Sequence, residues 1–164
     1  MGKKTDIAVD VMKKEDIDQV LAIEQASFSM PWSRNLFLSE FRSPGVSTLL
    51  VSLANDTPRM VTGYIIYWLV EYEMHILNLA VAPAHRRHGI ARQLVLDAIK
   101  RAYAKGARQA FLEVRASNTA AQKLYSDLGF TGSFVRRDYY DSPTEDAVIM
   151  TLEQKALEDI TNVV

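Results

Sequence analysis

Residues 74–92 read Met74-His75-Ile76-Leu77-Asn78-Leu79-Ala80-Val81-Ala82-Pro83-Ala84-His85-Arg86-Arg87-His88-Gly89-Ile90-Ala91-Arg92, and the fold turns on them. Met74 to Val81 is a largely apolar run of strand length, and Pro83 stops it. A short loop leads into a helix from about Gly89 to Lys105. Its apolar face is Ala91, Leu94, Val95, Ala98, Ile99 and Ala102, its polar face Arg92, Gln93, Asp97, Lys100 and Arg101. Gly106 supplies the C-terminal stop. Gln109 to Val114 then predicts another strand, so Met74–Val114 is a strand–helix–strand unit with a right-handed parallel crossover. Small residues at the helix start let backbone approach a ligand. The free N–H groups and positive dipole end there favour a pyrophosphate. Arg86, Arg87 and Arg92 add positive charge. The same residues also read as a plain strand-to-helix turn with a solvated basic loop. Neither G-x-x-x-x-G-K nor G-x-G-x-x-G is present.

On the N-terminal side, Ile7 to Met12 alternates like a strand and Glu15 to Phe28 carries apolar residues at helical spacing. Pro31 ends that helix, and Ser33 is the N-cap of a short second one holding Leu36, Phe37 and Phe41. Ser47–Leu53 and Met60–Val70 are strands around the turn Asn55-Asp56-Thr57-Pro58. On the C-terminal side, Ser117 or Asn118 caps a helix running to about Asp127, closed by Gly129. Phe130–Arg137 and Ala147–Leu152 are the final strands around a polar loop. The polar stretch after Glu153, ending in Val163-Val164, is expected to be loosely held. The sum is an α/β (α+β) chain: a mixed sheet with helices on both faces.

The chain has 164 residues, enough for one domain whose folding buries roughly 70% of the unfolded surface. Nineteen Lys+Arg against twenty Asp+Glu give a net charge of -1, so any basic site must be local. There is no cysteine, which excludes disulfides, thiolate zinc sites and cysteine nucleophiles and fits a reducing cytoplasm. The longest uncharged apolar stretch, about Val61 to Val70, falls short of the ~20 residues that span a bilayer. The N-terminus lacks the apolar stretch of a secretory signal. These features lead us to expect a cytoplasmic protein with no membrane partner.

A second constellation is Leu112-Glu113-Val114-Arg115-Ala116-Ser117-Asn118, then Leu124-Tyr125 and Gly129-Phe130. Glu113 stands in an otherwise apolar strand end. A carboxylate there loses water and becomes a better general base near neutrality. Asn118 and Tyr125 lie seven residues apart, two helical turns. The plainer alternatives are a salt bridge from Glu113 to a neighbour such as Arg115, and a packing role for Tyr125.

Together, the Arg86-x-x-Gly89-x-Ala91 element and the Glu113–Tyr125 segment resemble the GCN5-related N-acetyltransferases (GNAT). Pro31-Trp32-Ser33, the run Leu112 to Asn118, Arg136-Arg137-Asp138-Tyr139-Tyr140 and Glu145 to Met150 narrow the resemblance to the branch acting on the alanine N-termini of ribosomal proteins. It covers nearly all of residues 7–152. It implies a single GNAT domain, residues 1–153, followed by a tail, 154–164. The implied sheet is mixed and mostly antiparallel, with a central parallel strand pair splayed around acetyl-CoA.

In this family the strand end matching Leu79, Ala80 and Val81 pairs with the pantetheine arm. The run matching Arg87, His88, Gly89, Ile90, Ala91 and Arg92 cradles the pyrophosphate, and the position of Asn118 also meets the cofactor. Glu113 matches the general base and Tyr125 the general acid. Ala91 stands where many members carry Gly, and the family pattern allows either. Trp32, Tyr139 and Tyr140 are candidates to wall the acceptor-peptide cleft, with rigid apolar faces and polar tips. Asp141, Glu145 and Asp146 could attract a cationic N-terminus or simply be a solvated acidic loop.

Acetyl-CoA is then the cosubstrate and no metal is required. His75 and His85 lack a third ligand nearby, and in His88 the backbone matters more than the imidazole. The Arg136–Tyr140 run could suggest stacking on RNA, but with this net charge and no second basic-aromatic cluster no direct nucleic-acid partner is expected. The implied acceptor is the N-terminal α-amine of a protein, a ribosomal protein beginning with alanine. Acetylation of a lysine or small amine and a non-catalytic acetyl-CoA sensor are the competing functions, since a fold does not settle an acceptor.

Overall fold

The computed structural model describes residues 7–55 and 58–162. The expected turn residues Asp56 and Thr57, the first six residues and Val163-Val164 lie outside them. In chain order the elements are β1 (Ala8–Val11), α1 (Ile17–Ser27) after a 3₁₀ turn at Lys14–Asp16, α2 (Arg34–Glu40), β2 (Ser47–Leu53), β3 (Val61–Val70) and β4 (Glu73–Val81). There follow α3 (Ile90–Ala104), β5 (Gln109–Arg115), α4 (Thr119–Asp127), β6 (Thr131–Tyr140), β7 (Glu145–Leu152) and α5 (Gln154–Asn162). The seven strands form one open sheet in the order β1-β2-β3-β4-β5-β7-β6. β4 and β5 are parallel, in register from Glu73↔Gln109 to Ile76↔Leu112. β4 runs on to Val81 and β5 to Arg115, where β5 is antiparallel to β7. This is the expected mixed, mostly antiparallel sheet around a parallel pair.

The elements follow from local chemistry. Ser33 accepts the Leu36 N–H and starts α2. Asn118, rather than Ser117, caps α4 by accepting the Ala121 N–H at 3.1 Å, while Ser117 donates its hydroxyl to Glu145. Leu94, Val95, Ala98, Ile99 and Ala102 of α3 are fully buried, as the helical spacing of apolar residues requires. β6 extends three residues beyond the expected Arg137, because a register shift between Arg136 and Tyr140 keeps the chain paired with β7. Tyr139 and Tyr140 therefore stand on a strand, and the polar loop shrinks.

Residue contacts divide the chain into two compact units, Met1–Ile66 with Asn78–Asp97, and Tyr67–Leu77 with Ala98–Val164. The first is cored by Val20, Phe37, Leu50, Val51, Tyr64, Ile65 and Leu94. The second is cored by Tyr67, Met74, Ile99, Ala110, Leu112, Leu152 and Leu157. Leu157 changes the reading of the C-terminus. The polar stretch expected to be loose forms α5, and its Leu157 is fully buried.

Candidate active site

The first unit carries the expected phosphate loop. β4 ends on Leu79, half-buried, and Ala80 and Val81, both buried. Gly63 on β3 permits this packing: a Cβ there would lie 2.9 Å from the Ala80 carbonyl oxygen and 3.3 Å from Ile90 Cγ2. After Val81 the Ala82 N–H donates to the Thr62 carbonyl at 2.8 Å and Pro83–His85 makes one 3₁₀ turn. Arg87 and Gly89 then take positive φ, 63° and 77°. At Gly89 a Cβ would meet nothing within 4 Å, so backbone there faces open space and glycine serves the φ, not a crowded contact. α3 starts at the next residue.

Side chains in this loop divide by role. Arg86 donates from Nε to the Val81 carbonyl at 3.0 Å and from NH2 to Ser27 Oγ at 3.1 Å, so it braces the loop from within. The His88 Nδ1 lies 2.8 Å from the Arg86 carbonyl, which closes the loop on itself. Ile90 is buried, so only its backbone can serve a ligand. Arg87 and Arg92 are exposed. Exposed N–H groups opening a helix, beside two outward arginines, suit the pyrophosphate of a CoA ester.

Trp32 also stands in the first unit. Its ring is 5.3 Å from Phe37, and its N–H donates to Glu24 Oε1 at 2.9 Å. Glu24 is 1% exposed and accepts at Oε2 from the Asn78 side chain at 2.9 Å and from the Tyr64 hydroxyl. The sequence reading passed over it. The signal was the spacing: Ile17, Val20 and Glu24 fall on one stripe of α1, and all three are buried.

The second unit holds the candidate acid–base groups. Glu113 Oε2 is 2.6 Å from His75 Nε2, with side-chain exposures of 14% and 22%. An ionised Glu113 can only accept, which puts the proton on Nε2. His75 stacks on Phe111, 4.3 Å between centroids, and Trp68 meets it edge-on. The expected partner Arg115 is turned elsewhere: it donates to the Pro143 and Asp141 carbonyls and lies over the Tyr140 ring at 4.3 Å. Strand alternation could have revealed the pair, since His75 registers with Phe111, two residues from Glu113 on the same face. Beside Glu113 lies a cavity of about 210 Å³ walled by Phe111, Phe134, Arg136 and Ile149 among others.

Tyr139 and Tyr140 form an edge-to-face pair 4.9 Å apart. Burial, then the neighbouring Tyr139 and the charge of Glu113, pushes the Tyr140 hydroxyl up to about 12. Burial and Glu113 raise Tyr139 as well. Tyr125 is buried against Phe130, 5.4 Å away. Burial, with a contribution from Tyr140, moves its hydroxyl far above the ordinary tyrosine value. The second unit thus brings Glu113, Tyr125, Tyr139 and Tyr140 into one electrostatic neighbourhood. Asn118 caps α4 nearby in sequence. Glu145 and Asp146 stand at the start of β7 rather than in a solvated loop: Glu145 accepts from Ser117 and pairs with Arg115, and Asp146 accepts the Asp138 N–H. Among the described residues no cluster of three His, Cys, Asp or Glu could hold a metal, and no helix is long and apolar enough to cross a membrane.

The seven-stranded mixed sheet with its parallel β4–β5 pair places the chain in the class of acetyltransferases. Residues 17–130 match the acetyltransferase (GNAT) family model. The ribosomal protein bS18-alanine N-acetyltransferase of Haemophilus ducreyi is 34% identical over 147 residues, 88% of this chain and 98% of that one. The crystal structure of the ribosomal-protein-S18-alanine N-acetyltransferase from Escherichia coli superposes with a TM-score of 0.81 at 31% identity, covering 90% of this chain and 94% of that one. The NatC complex bound to Gag peptide and CoA gives 0.80 at 25%, covering 90% and 98%. The chain belongs to the GNAT family and is an acetyl-CoA-dependent N-acetyltransferase.

Proposed function

We propose that this enzyme acetylates the N-terminal α-amine of a ribosomal protein that begins with alanine, of the bS18 type. The observation that carries the chemistry is the 2.6 Å pair of Glu113 and His75 beside Tyr139 and Tyr140. The acceptor follows from the relatives' own activity. In this reading Leu79, Ala80 and Val81 meet the pantetheine arm, the Arg87–Arg92 backbone holds the pyrophosphate, and Asn118 contacts the cofactor. Trp32, Tyr139 and Tyr140 contact the acceptor peptide. Acetyl-CoA supplies the thioester that the amine attacks.

An α-ammonium has a pKa of about 7.7–8.0 against about 10.4 for lysine. A carboxylate acting directly or through one water can remove its proton. Glu113 takes that proton, and the His75 Nε2–H holds the carboxylate in place. Tyr125 is the group offered to the departing sulfur. Its burial-raised pKa makes outright donation to a thiolate more uphill than for a free tyrosine. Its part is a hydrogen bond that strengthens as charge develops on sulfur.

The test is mass spectrometry after incubation with acetyl-CoA. A peptide with free N-terminal alanine should gain one acetyl group on its α-nitrogen. The same peptide, blocked at the N-terminus and carrying an internal lysine, should react at least about tenfold more slowly, given the roughly 2.5-unit difference in amine pKa. Equal rates would make the enzyme a lysine or small-amine acetyltransferase.

A further inference from the structure

A carboxylate taken out of water is costly unless its lone pairs are satisfied. Glu24 is 1% exposed in the first unit, and its three partners are neutral: the Trp32 N–H, the Tyr64 hydroxyl and the Asn78 amide. Burial and the adjacent Glu24 charge raise the Tyr64 hydroxyl far above its ordinary value, so it stays protonated and can only serve this carboxylate as a donor. An apolar residue would fill the same stripe of α1 without that desolvation, and replacing buried ionic groups by apolar ones often stabilises a fold. The carboxylate's effect must therefore be sought in what it holds in place.

Its partners are unequal. Asn78 belongs to β4, and the strand leaves its end anchored independently, with Ala82 N–H on the Thr62 carbonyl and Arg86 on the Val81 carbonyl. Trp32 is held differently, by its backbone N–H on Glu24 and its ring against Phe37. It lies in the segment between α1 and α2, which has no helix or strand pairing and exposes Phe28 and Met30. Its backbone N–H bond to Glu24 ties that segment to the body of the unit, and its ring leans on Phe37.

We propose that Glu24 is a positioning residue for the acceptor: its buried carboxylate fixes the segment 28–33, through the Trp32 N–H, in the place where the acceptor's first residues are read. This rests on the functional reading that gives Trp32 to the acceptor. Glu24 touches no reacting atom and acts through Trp32.

Two readouts separate this role from general support of the fold. The first is hydrogen exchange followed by mass spectrometry, which needs no substrate. Glu24→Leu should speed exchange in residues 28–36 while residues 78–82 keep their protection. The second is kinetic. Removing the partner of a buried N–H should lower kcat/KM for the alanine peptide by about tenfold or more, with the Kd for acetyl-CoA within about threefold of wild type.

Glu24→Gln keeps a carbonyl oxygen for Trp32, and the Asn78 amide can turn its oxygen to the new NH2 group. It should restore kcat/KM to within about threefold, so Gln also tests whether geometry or charge matters. If Glu24→Leu alone does not fold, adding Tyr64→Phe removes one orphaned hydroxyl and allows the same measurements. The proposal is overturned if exchange rises equally across the unit, if acetyl-CoA affinity and acceptor kcat/KM fall together, or if Gln is as damaging as Leu. Wild-type inactivity on the alanine peptide would sink the acceptor assignment instead, and the exchange result would still decide the part played by Glu24.

Discussion

At the scale of single residues the proposed chemistry rests on Glu113. Glu113→Gln keeps the side chain's size and removes the proton acceptor. General-base groups contribute about 100- to 10,000-fold, so kcat/KM at pH 7 should fall by at least about 100-fold. Part of it should return above about pH 8, where the α-amine sheds its proton unaided. His75→Phe retains the stack on Phe111 but removes Nε2, and should cost less than Glu113→Gln because the carboxylate remains. A Glu113→Gln profile that parallels wild type across pH would make the pair structural. The sequence offered Glu113 and Tyr125 as candidates because LEVRASN and the following helix carry a recognisable pattern. It hid His75, whose partner lies 38 residues on and is set by strand register. Glu24 was hidden in the same way. A charged residue on an apolar stripe reads as a helix surface until the donors from β3, β4 and the Trp32 segment are seen to converge on it.

At the scale of elements one arginine ties three of them together. Arg59, just before β3, donates from Nε to Asp16 Oδ1 at 2.8 Å, from NH2 to Asp16 Oδ2 at 2.9 Å and from NH1 to Asp10 Oδ2 at 2.8 Å. It thereby joins β1, the 3₁₀ turn before α1 and the entry to β3. The Arg59 hydrogen bond, with the Val11 N–H, lowers the Asp10 carboxyl. At Asp16 burial pulls upward, but the Arg59 and Lys13 hydrogen bonds and the guanidinium charge outweigh it, and the net shift is also down. A carboxyl with a folded-state pKa below its unfolded value stabilises the fold fully above the unfolded pKa, about 3.9, and loses that contribution as pH falls through the folded one. Arg59→Met leaves Asp16 buried without its cation and should cost about 3 kcal/mol at pH 7. The difference from wild type, measured by urea unfolding, should shrink on acidification, beginning above about pH 4, because burial without Arg59 raises the variant's Asp16 carboxyl. A difference that grows on acidification would contradict the assignment. Hydrophobic period revealed the strands and helices themselves. The ends escaped it: β6 runs to Tyr140 through a register shift that alternation alone does not encode, and Glu145 and Asp146 join β7 with bonds from Ser117, Arg115 and Asp138.

At the scale of the molecule the parallel β4–β5 pair was legible from the order of elements, because a strand–helix–strand segment leaves few arrangements open, whereas the strand order, with β7 between β5 and β6, was not. The C-terminal stretch was not, and it is where the whole chain can be tested. Its composition is polar, yet α5 places Leu157 at 0% exposure in the second unit, in contact with β5, the strand that carries Glu113. Gly129, which closes α4 with a φ of 101°, lies alongside: a Cβ there would sit at ordinary contact distance, 3.5 Å, from Ala156 Cβ. Ala156, Leu157 and Ile160 make a short apolar stripe in a polar stretch, which composition alone reads as a solvated tail, and the contact shows it packed. A fully buried leucine cut to alanine loses about 2–5 kcal/mol, by transfer and by the cavity left behind. In a chain of this length each kcal/mol lowers the melting temperature by roughly 2–4 °C. Leu157→Ala should therefore lower Tm by about 4–20 °C, and a chain stopped after Glu153 should lose at least as much. If either variant melts within about 2 °C of wild type, less than 1 kcal/mol by the same scale, α5 contributes nothing to the fold and the stretch is the loose tail its composition suggests.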